Sequence, residues 1–574
     1  MKDSIKIAIL GNCTTEYIAK GLQEAASGYS IEAVVYNAPY NQYIQEALNP
    51  ESGLYRSSPD LIILWLEGKG LFPEWYDINL LLEEKGKKEQ RICDMLQSVV
   101  SLVETIRGKS SAKILVHNFK VPSFSPLGIL DNKFQPGLKA MTARLNTLLE
   151  EWAQDKEGIY IFDYNNTCAQ YGTDRAMDKK IYYATKSPVS FPFIRVVAAE
   201  YMRYILPVKS KNKKCLVLDL DNTLWGGVAG EDGLQGVVLD ITGPGRVFYD
   251  FQQEILNLYT KGVLLAVNSK NNPADALEII EKHPHMLLRE KHFTVLKINW
   301  SNKAVNLKEI AEELGIGIES IVFMDDNPKE RELVKTMLPE VTVVEMPADT
   351  ARYAETLEKL PEFELLMITE DDLKRNQMYK ANSGRKELLK TFGSMEEYLS
   401  GLQLEITVDA ANTFTIPRIS QLSLKTNQFN MTTKRYQTGE IEKMAASENY
   451  WVASCSVRDK FGDSGISGVC VVELQGAEAS IDTFLLSCRV LGLGVEYAFL
   501  STIIGALHAK GVSTIHARYV KTAKNSANAG FYPDAGFSAA SAGPDETSYQ
   551  LNPGKSVKRL DYINIVNKLE DKRL

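Results

Sequence analysis

The chain has 574 residues, 44% hydrophobic and 24% charged, with a net charge of −8. That size and composition predict several domains with packed cores. The acidic balance argues against nucleic acid as a partner, because holding a phosphate backbone takes a basic face. The seven cysteines stand at 13, 93, 168, 215, 455, 470 and 488. They are too scattered for a disulfide framework or a zinc site, so a reducing, cytoplasmic setting is expected. The apolar run at 5–10 reads as a first strand rather than a signal peptide. No apolar run reaches the length of a membrane span.

Residues 1–208 carry short apolar runs at 5–10, 61–66, 112–116 and 159–162, separated by polar or amphipathic stretches. That alternation predicts a parallel α/β domain. Gly11-Asn-Cys-Thr-Thr15 follows the first run. It resembles the segment where SGNH-type hydrolases carry Gly-Asp-Ser, with Cys13 at the nucleophile's place. Asp178 and Ser187-Pro-Val-Ser190 stand near where the Asp and His of those hydrolases would fall, but no histidine is among them. His117 is the one local candidate for a base. A nucleophile without a base stays unactivated, so an SGNH-like scaffold without hydrolysis, serving as a docking surface, is expected.

A second α/β pattern is expected over 209–362. The strand-like run at 215–218 delivers Asp219 and Asp221, two residues apart, with Thr223 next. A carboxylate at a strand tip can attack phosphorus. A second one two residues on can protonate the leaving oxygen and then deprotonate water. Ser269 closes another apolar run, placed to bond a phosphoryl oxygen. Lys303 opens a helix-prone stretch and would neutralise phosphoryl charge, with Lys308 as its alternative. Asp325 and Asp326 follow the run at 321–324. Together with Asp219 and Asp221 they make an oxygen-rich set suited to Mg²⁺.

These stretches resemble the four motifs of the haloacid dehalogenase (HAD) superfamily, beginning with D-x-D-x-T. Within it, Trp225-Gly-Gly-Val-Ala-Gly-Glu-Asp-Gly233, Asn268-Ser-Lys-Asn-Asn272, Phe323-Met-Asp-Asp-Asn-Pro328 and Gln421-Leu-Ser-Leu-Lys-Thr-Asn-Gln-Phe-Asn430 resemble the FkbH-like family. The resemblance implies an enzyme that takes 1,3-bisphosphoglycerate, removes phosphate, and loads the glyceryl unit onto the phosphopantetheine thiol of an acyl carrier protein. It implies Mg²⁺ as cofactor and no membrane partner.

A charged, helical connector is expected over 363–400 and a mixed domain over 401–574. There Arg489-x-x-Gly492-x-Gly494 stands between a strand-like run and the helix-like stretch 495–509. It resembles the pyrophosphate loop of GNAT acyltransferases, and Lys524-Asn-Ser-Ala-Asn-Ala-Gly-Phe-Tyr532 resembles their later segment. The resemblance implies that Arg489, Gly492, Gly494 and Asn525 bind pantetheine. FkbH-like chains share the Ser-Cys-Arg of 487–489, which makes Cys488 a candidate acyl acceptor. Leu493 stands where that family often has Arg. The expected architecture is thus multidomain α/β: SGNH-like, Rossmann-like HAD and GNAT-like α+β domains. The rival readings are a plain phosphatase, an N-acetyltransferase fused to a phosphatase, and a non-catalytic carrier-docking scaffold.

Overall fold

The structure, a computed structural model, describes residues 3–389, 392–551 and 560–569. The chain divides into two compact units, Met1–Lys211 and Asn212–Leu574.

In the first unit five parallel strands form one sheet: β1 (Asp3–Gly11), β2 (Ile31–Asn37), β3 (Leu61–Trp65), β4 (Lys113–His117) and β5 (Ile159–Phe162), in the order β2-β1-β3-β4-β5. Successive side chains of a strand point to opposite faces, and each face is covered. Ile5, Ile7 and Ile9 pack with α1 (Glu16–Gly28) and α4 (Phe191–Val208). Ala8 and Leu10 pack with α2 (Lys85–Arg107) and α3 (Leu138–Ala153). The four apolar runs are β1, β3, β4 and β5. The edge strand β2, buried on one face only, alternates too weakly to stand out as a run.

The second unit begins with another parallel sheet: β6 (Cys215–Leu218), β7 (Leu264–Ser269), β8 (Val295–Ile298), β9 (Ile321–Met324) and β10 (Thr342–Val343), ordered β10-β9-β6-β7-β8. Leu216, Leu218, Val267 and Met324 face α5 (Arg246–Thr260) and α6 (Pro273–Lys282). Cys215, Val217 and Phe323 face α7 (Lys303–Leu314) and α8 (Pro328–Met337). The chain leaves β6 toward β7 on one side and returns at β9 on the other. The carboxyl ends of β6 and β9 therefore flank the point where strand order reverses, which is where open α/β sheets form their crevice.

Next comes α9 (Glu370–Leu389), within the expected connector. Arg375 donates to the Gly262 carbonyl at 3.1 Å and Asn376 to that of Tyr259 at 2.7 Å. Gly262 has φ +90°, and a Cβ there would lie 2.0 Å from the Asp372 carbonyl oxygen, so only glycine admits this approach. Toward its other end Arg385 is ion-paired with Asp459, both buried.

A nine-stranded sheet completes the unit. Its strands are β11 (Leu404–Ala410), β12 (Phe429–Asn430), β13 (Tyr450–Asp459), β14 (Gly462–Gln475), β15 (Glu478–Leu486), β16 (Thr514–Val520), β17 (Ser538–Ala542), β18 (Glu546–Leu551) and β19 (Ile563–Asn567). Before β13 lies α10 (Ile416–Lys425); between β15 and β16 lies α11 (Val495–Ala509). β15 and β16 are parallel but pair only from Glu478↔Thr514 to Ile481↔Ala517. Beyond that they diverge. The wedge is filled by the chain itself: β12 pairs with Leu485 and Leu486, the Met431 N–H donates to Phe484, and the Val520 N–H donates to Met431.

Replacing Asp459 with Ala leaves the Arg385 guanidinium buried without its counter-charge. That should cost about 3–5 kcal/mol, read as a lower urea midpoint for the second unit.

Candidate active site

Asp219 follows β6 directly, and its N–H donates to the Met324 carbonyl at the end of β9, 3.0 Å away. The two strand tips are thereby locked together. Lys303, the first residue of α7, projects into the angle between them. Its Nζ is 2.9 Å from Asp219 Oδ1 and 2.6 Å from Asp325 Oδ2, and all three side chains are buried. Carboxylate oxygens of Asp219, Asp325 and Asp326 lie within 4.8 Å of one another. The Asp326 N–H donates to Thr223 Oγ1 at 3.2 Å, which joins the two acidic loops. Arg331 donates to the carbonyls of Asp325 and Asp326 at 2.8 and 2.7 Å. Asn268 donates to the Lys303 carbonyl at 2.9 Å and accepts from Asn306 at 3.0 Å, fixing the start of α7 beside β7. Ser269 is buried at the end of β7.

Lys303 and Lys308 are thus distinguished: Lys303 is buried between two acids and Lys308 is exposed on α7. Burial opposes the Lys303 charge, but Asp219 and Asp325 more than offset this and hold its pKa above the ordinary lysine value. Burial, reinforced by Asp219, raises the carboxyls of Asp325 and Asp326, the latter to about 6. Three acids with one ammonium carry a formal surplus of negative charge.

Asp221 is set apart from this cluster. Its Oδ1 accepts from the Trp225 indole N–H and the Ala229 N–H, both at 3.0 Å, and its Oδ2 accepts from Asn271 at 2.9 Å. The expected four-acid metal set therefore comes together as three, because the Asp221 side chain is held by donors of the following loop and of Asn271. Burial raises its pKa, opposed in part by those three donors. Asn268 and Asn271 lie in the segment 268–272 that carried the family resemblance but were given no role there, and Arg331 read as a solvated helix charge.

In the nine-stranded half, Cys488 begins the turn after β15 and is half-buried. Gly492 and Gly494 have φ of +80° and +79°, as a tight turn before a helix requires. The two other residues expected at a pantetheine site have different positions. Arg489 points inward, its Nε donating to Ser487 Oγ at 3.1 Å and its head lying against Met378 of α9. Asn525 is fully buried. Its amide donates to Asn430 and Val520 at 3.0 and 2.9 Å, and its Oδ1 accepts from the Thr522 N–H at 2.8 Å and the Tyr519 hydroxyl at 3.2 Å. Those bonds spend its capacity on closing the wedge. In the first turn of α11, burial raises the Glu496 carboxyl, an acid where a pyrophosphate would be anchored.

In the first unit Cys13 is buried, and burial pushes its thiol well above the ordinary range. His117 Nε2 lies 2.7 Å from the Tyr201 hydroxyl, its ring stacks on Phe162, and burial lowers its pKa. It is a core histidine. Asp178 caps a short helix by accepting from the Lys180 and Ile181 N–H groups.

Residues 6–206 match the family described as FkbH, N-terminal domain. Over that stretch the chain is similar to the FkbH family. Among solved structures it is similar to the N-terminal part of BF1531 from Bacteroides fragilis, described as containing a phosphatase domain and complexed with Mg. The identity is 29% and the TM-score 0.58, over 63% of this chain and 94% of that one. It is also similar to the ribosomal-protein-S18-alanine N-acetyltransferase of Escherichia coli (15% identity, TM-score 0.21, 27% of this chain and 98% of that one). Ard1 from Thermoplasma volcanium is matched at 18% identity and TM-score 0.21, over 26% of this chain and 99% of that one. No curated protein matches the chain. No helix among the described residues is long and apolar enough to cross a membrane.

Because Asp326 holds its proton more tightly when folded, its contribution to stability is present below the ordinary carboxylate pKa and is lost as pH rises toward about 6. In metal-free buffer, the stability of the wild type should fall relative to that of Asp326→Asn between pH 4 and 6, read by urea denaturation, since the amide does not titrate. Parallel pH profiles would refute the strained carboxyl.

Proposed function

We propose that this FkbH-like chain is a Mg²⁺-dependent phosphatase of the HAD type coupled to acyl transfer. It would dephosphorylate an acyl phosphate such as 1,3-bisphosphoglycerate and load the acyl unit onto the phosphopantetheine thiol of an acyl carrier protein. The observation that carries the phosphatase half is Lys303 ion-paired with both Asp219 and Asp325 at the tips of adjacent strands. In this reading the Asp219 carboxylate attacks phosphorus and the bond to the leaving oxygen breaks. Asp221, whose burial favours the protonated form, gives that oxygen its proton. Water then attacks the aspartyl phosphate, Asp221 takes the water's proton, and phosphate leaves. Lys303 stabilises the charge on the transferring group, with the Thr223 and Ser269 hydroxyls near it as phosphate ligands.

The donor set fits Mg²⁺, which favours carboxylate oxygens: Asp219, Asp325 and Asp326 supply three, and Lys303 leaves the cluster negative overall. When bound, the cation would neutralise phosphoryl charge and align the group.

The transfer half rests on Cys488. Its thiolate would attack the acyl carbon as the bond to phosphate breaks, leaving a thioester and inorganic phosphate. The carrier thiol would then exchange with it, returning the cysteine. A ligand with both a phosphate ester and an acyl phosphate offers each half its own bond.

From a phosphate ester, which offers Cys488 no acyl carbon, Asp219→Asn should cut phosphate release by at least about 10³-fold, and Asp221→Asn by about 10²–10⁴-fold, without loss of fold. Phosphate release by Asp219→Asn at the wild-type rate would remove the assignment. Mg²⁺ affinity, read by calorimetry, should tighten as pH rises through about 6 and the Asp326 proton leaves. Cys488→Ala should abolish both the acyl adduct on the protein and thioester formation on the carrier, by intact mass. Carrier loading that persists in this variant would remove Cys488 from the transfer, and no loading by the wild type would return the chain to a plain phosphatase.

A further inference from the structure

Five cationic side chains converge behind the turn that begins with Cys488, from four separated parts of the second unit. α9 offers a stripe at helical spacing: Asp371, Asp372, Arg375, Met378 and Tyr379. α10 offers a second, Arg418, Gln421 and Lys425. Arg489 comes from the turn, and Lys214 from the residue before β6. The elements are stitched together: Gln421 donates to Asp372 at 2.9 Å and accepts from Arg418, and the Tyr379 hydroxyl lies beside Cys488.

The charges do not balance. Asp372 is paired with Arg375, lies in the field of Lys425 and accepts from Thr369 and Gln421, which together hold its carboxyl down at about 2, so one carboxylate answers two cations. Asp371 lies 2.8 Å from Arg418 Nε, yet neither atom makes a hydrogen bond. Glu319, which faces Lys214, is ion-paired with Lys524. Lys214, Lys425 and Arg489 have no carboxylate within ion-pairing distance among the described residues. Lys214 interacts electrostatically with Cys488, Arg375 and Arg489. Burial and the neighbouring Arg375 pull Lys425 down to about 7, and burial with Arg489 pulls Arg418 down to about 9. Gathering like charges away from water is costly unless an anion answers them.

We infer that Lys214, Arg375, Arg418, Lys425 and Arg489 form an anion site beside Cys488 that takes the phosphate dianion of a small ligand. A dianion with several acceptor oxygens would engage guanidinium and ammonium groups together and supply the missing charge. The phosphate has two possible sources, the phosphoryl group of an acyl phosphate or the phosphate of a pantetheine arm. The choice between them rests on the reading of Cys488 as acyl acceptor; the anion site does not.

The test is protection of Cys488 from iodoacetamide in the full chain, at constant ionic strength, quantified by peptide mass spectrometry so that exposed Cys93 is scored separately. Inorganic phosphate at ten times its dissociation constant should slow modification about tenfold by occupancy, and chloride should not. Lys425→Met and Lys214→Met should each lose most of the protection, whereas Asp219→Asn should keep it. Equal rates in phosphate and chloride, full protection in both lysine variants, or protection that disappears in Asp219→Asn would each overturn the site. Acetyl phosphate protecting at lower concentration than phosphopantetheine assigns the donor's phosphoryl group; the reverse assigns the arm. Phosphate protection without any acyl adduct would keep the anion site and end the transfer reading, while an adduct without protection would do the opposite.

Discussion

One ammonium group between two carboxylates organises the parallel-sheet half of the second unit. Asp219 and Asp325 end adjacent strands, and their mutual repulsion in a buried place would force the tips apart or protonate one of them. Lys303 offsets that repulsion only because α7 begins where it does, with Asn302 accepting from the Ala304 N–H at its start and Asn268 holding the Lys303 carbonyl. The ion pairs are buried, so each partner alone would be expensive to keep charged. The charge left over is negative, and it is concentrated at the reversal of strand order, where open α/β sheets form their crevice.

The separation of Asp221 from the other acids follows from chain geometry. Two residues beyond the strand tip, its carboxyl leaves the line of the sheet and meets the loop that returns through Trp225 and Ala229. Three donors grip it, and burial still raises its pKa. Asp219 instead faces a cation. Two acids only two residues apart thus meet different partners, one an ammonium and the other three neutral donors.

Much of this was readable in the residues. Apolar runs ending in acids mark strand tips, and buried parallel strands on a doubly covered sheet have no choice but to be apolar on both faces. Edge strands β2, β8 and β10 escaped because half-buried strands dilute the pattern. The choice between Lys303 and Lys308 needed the rotation of α7. Asn525 shows the limit of motif reading: its segment stands in the expected place, but its side chain closes a wedge between β15 and β16 through bonds to residues 95 and 5 positions away. Nothing local to it announces the remote partner.

The cationic cluster was out of reach for the same reason, since residues 214, 375, 418, 425 and 489 meet only once α9 is pinned to both sheets. It also changes how the glycine turn is understood. A turn that binds phosphate by itself needs free N–H groups, a positive helix end and no acid nearby. Here Glu496 sits in the first turn of α11, Leu493 is apolar, and a side chain added at Gly494 would strike the Tyr562 hydroxyl at 2.3 Å. Positive charge has instead been moved behind the turn, onto Arg489 and the facing stripes of α9 and α10. A ligand's phosphate drawn to that charge would bring its reactive carbon toward Cys488 from the connector side. The glycines then matter for letting the chain double back so that Cys488 and Arg489 face α9.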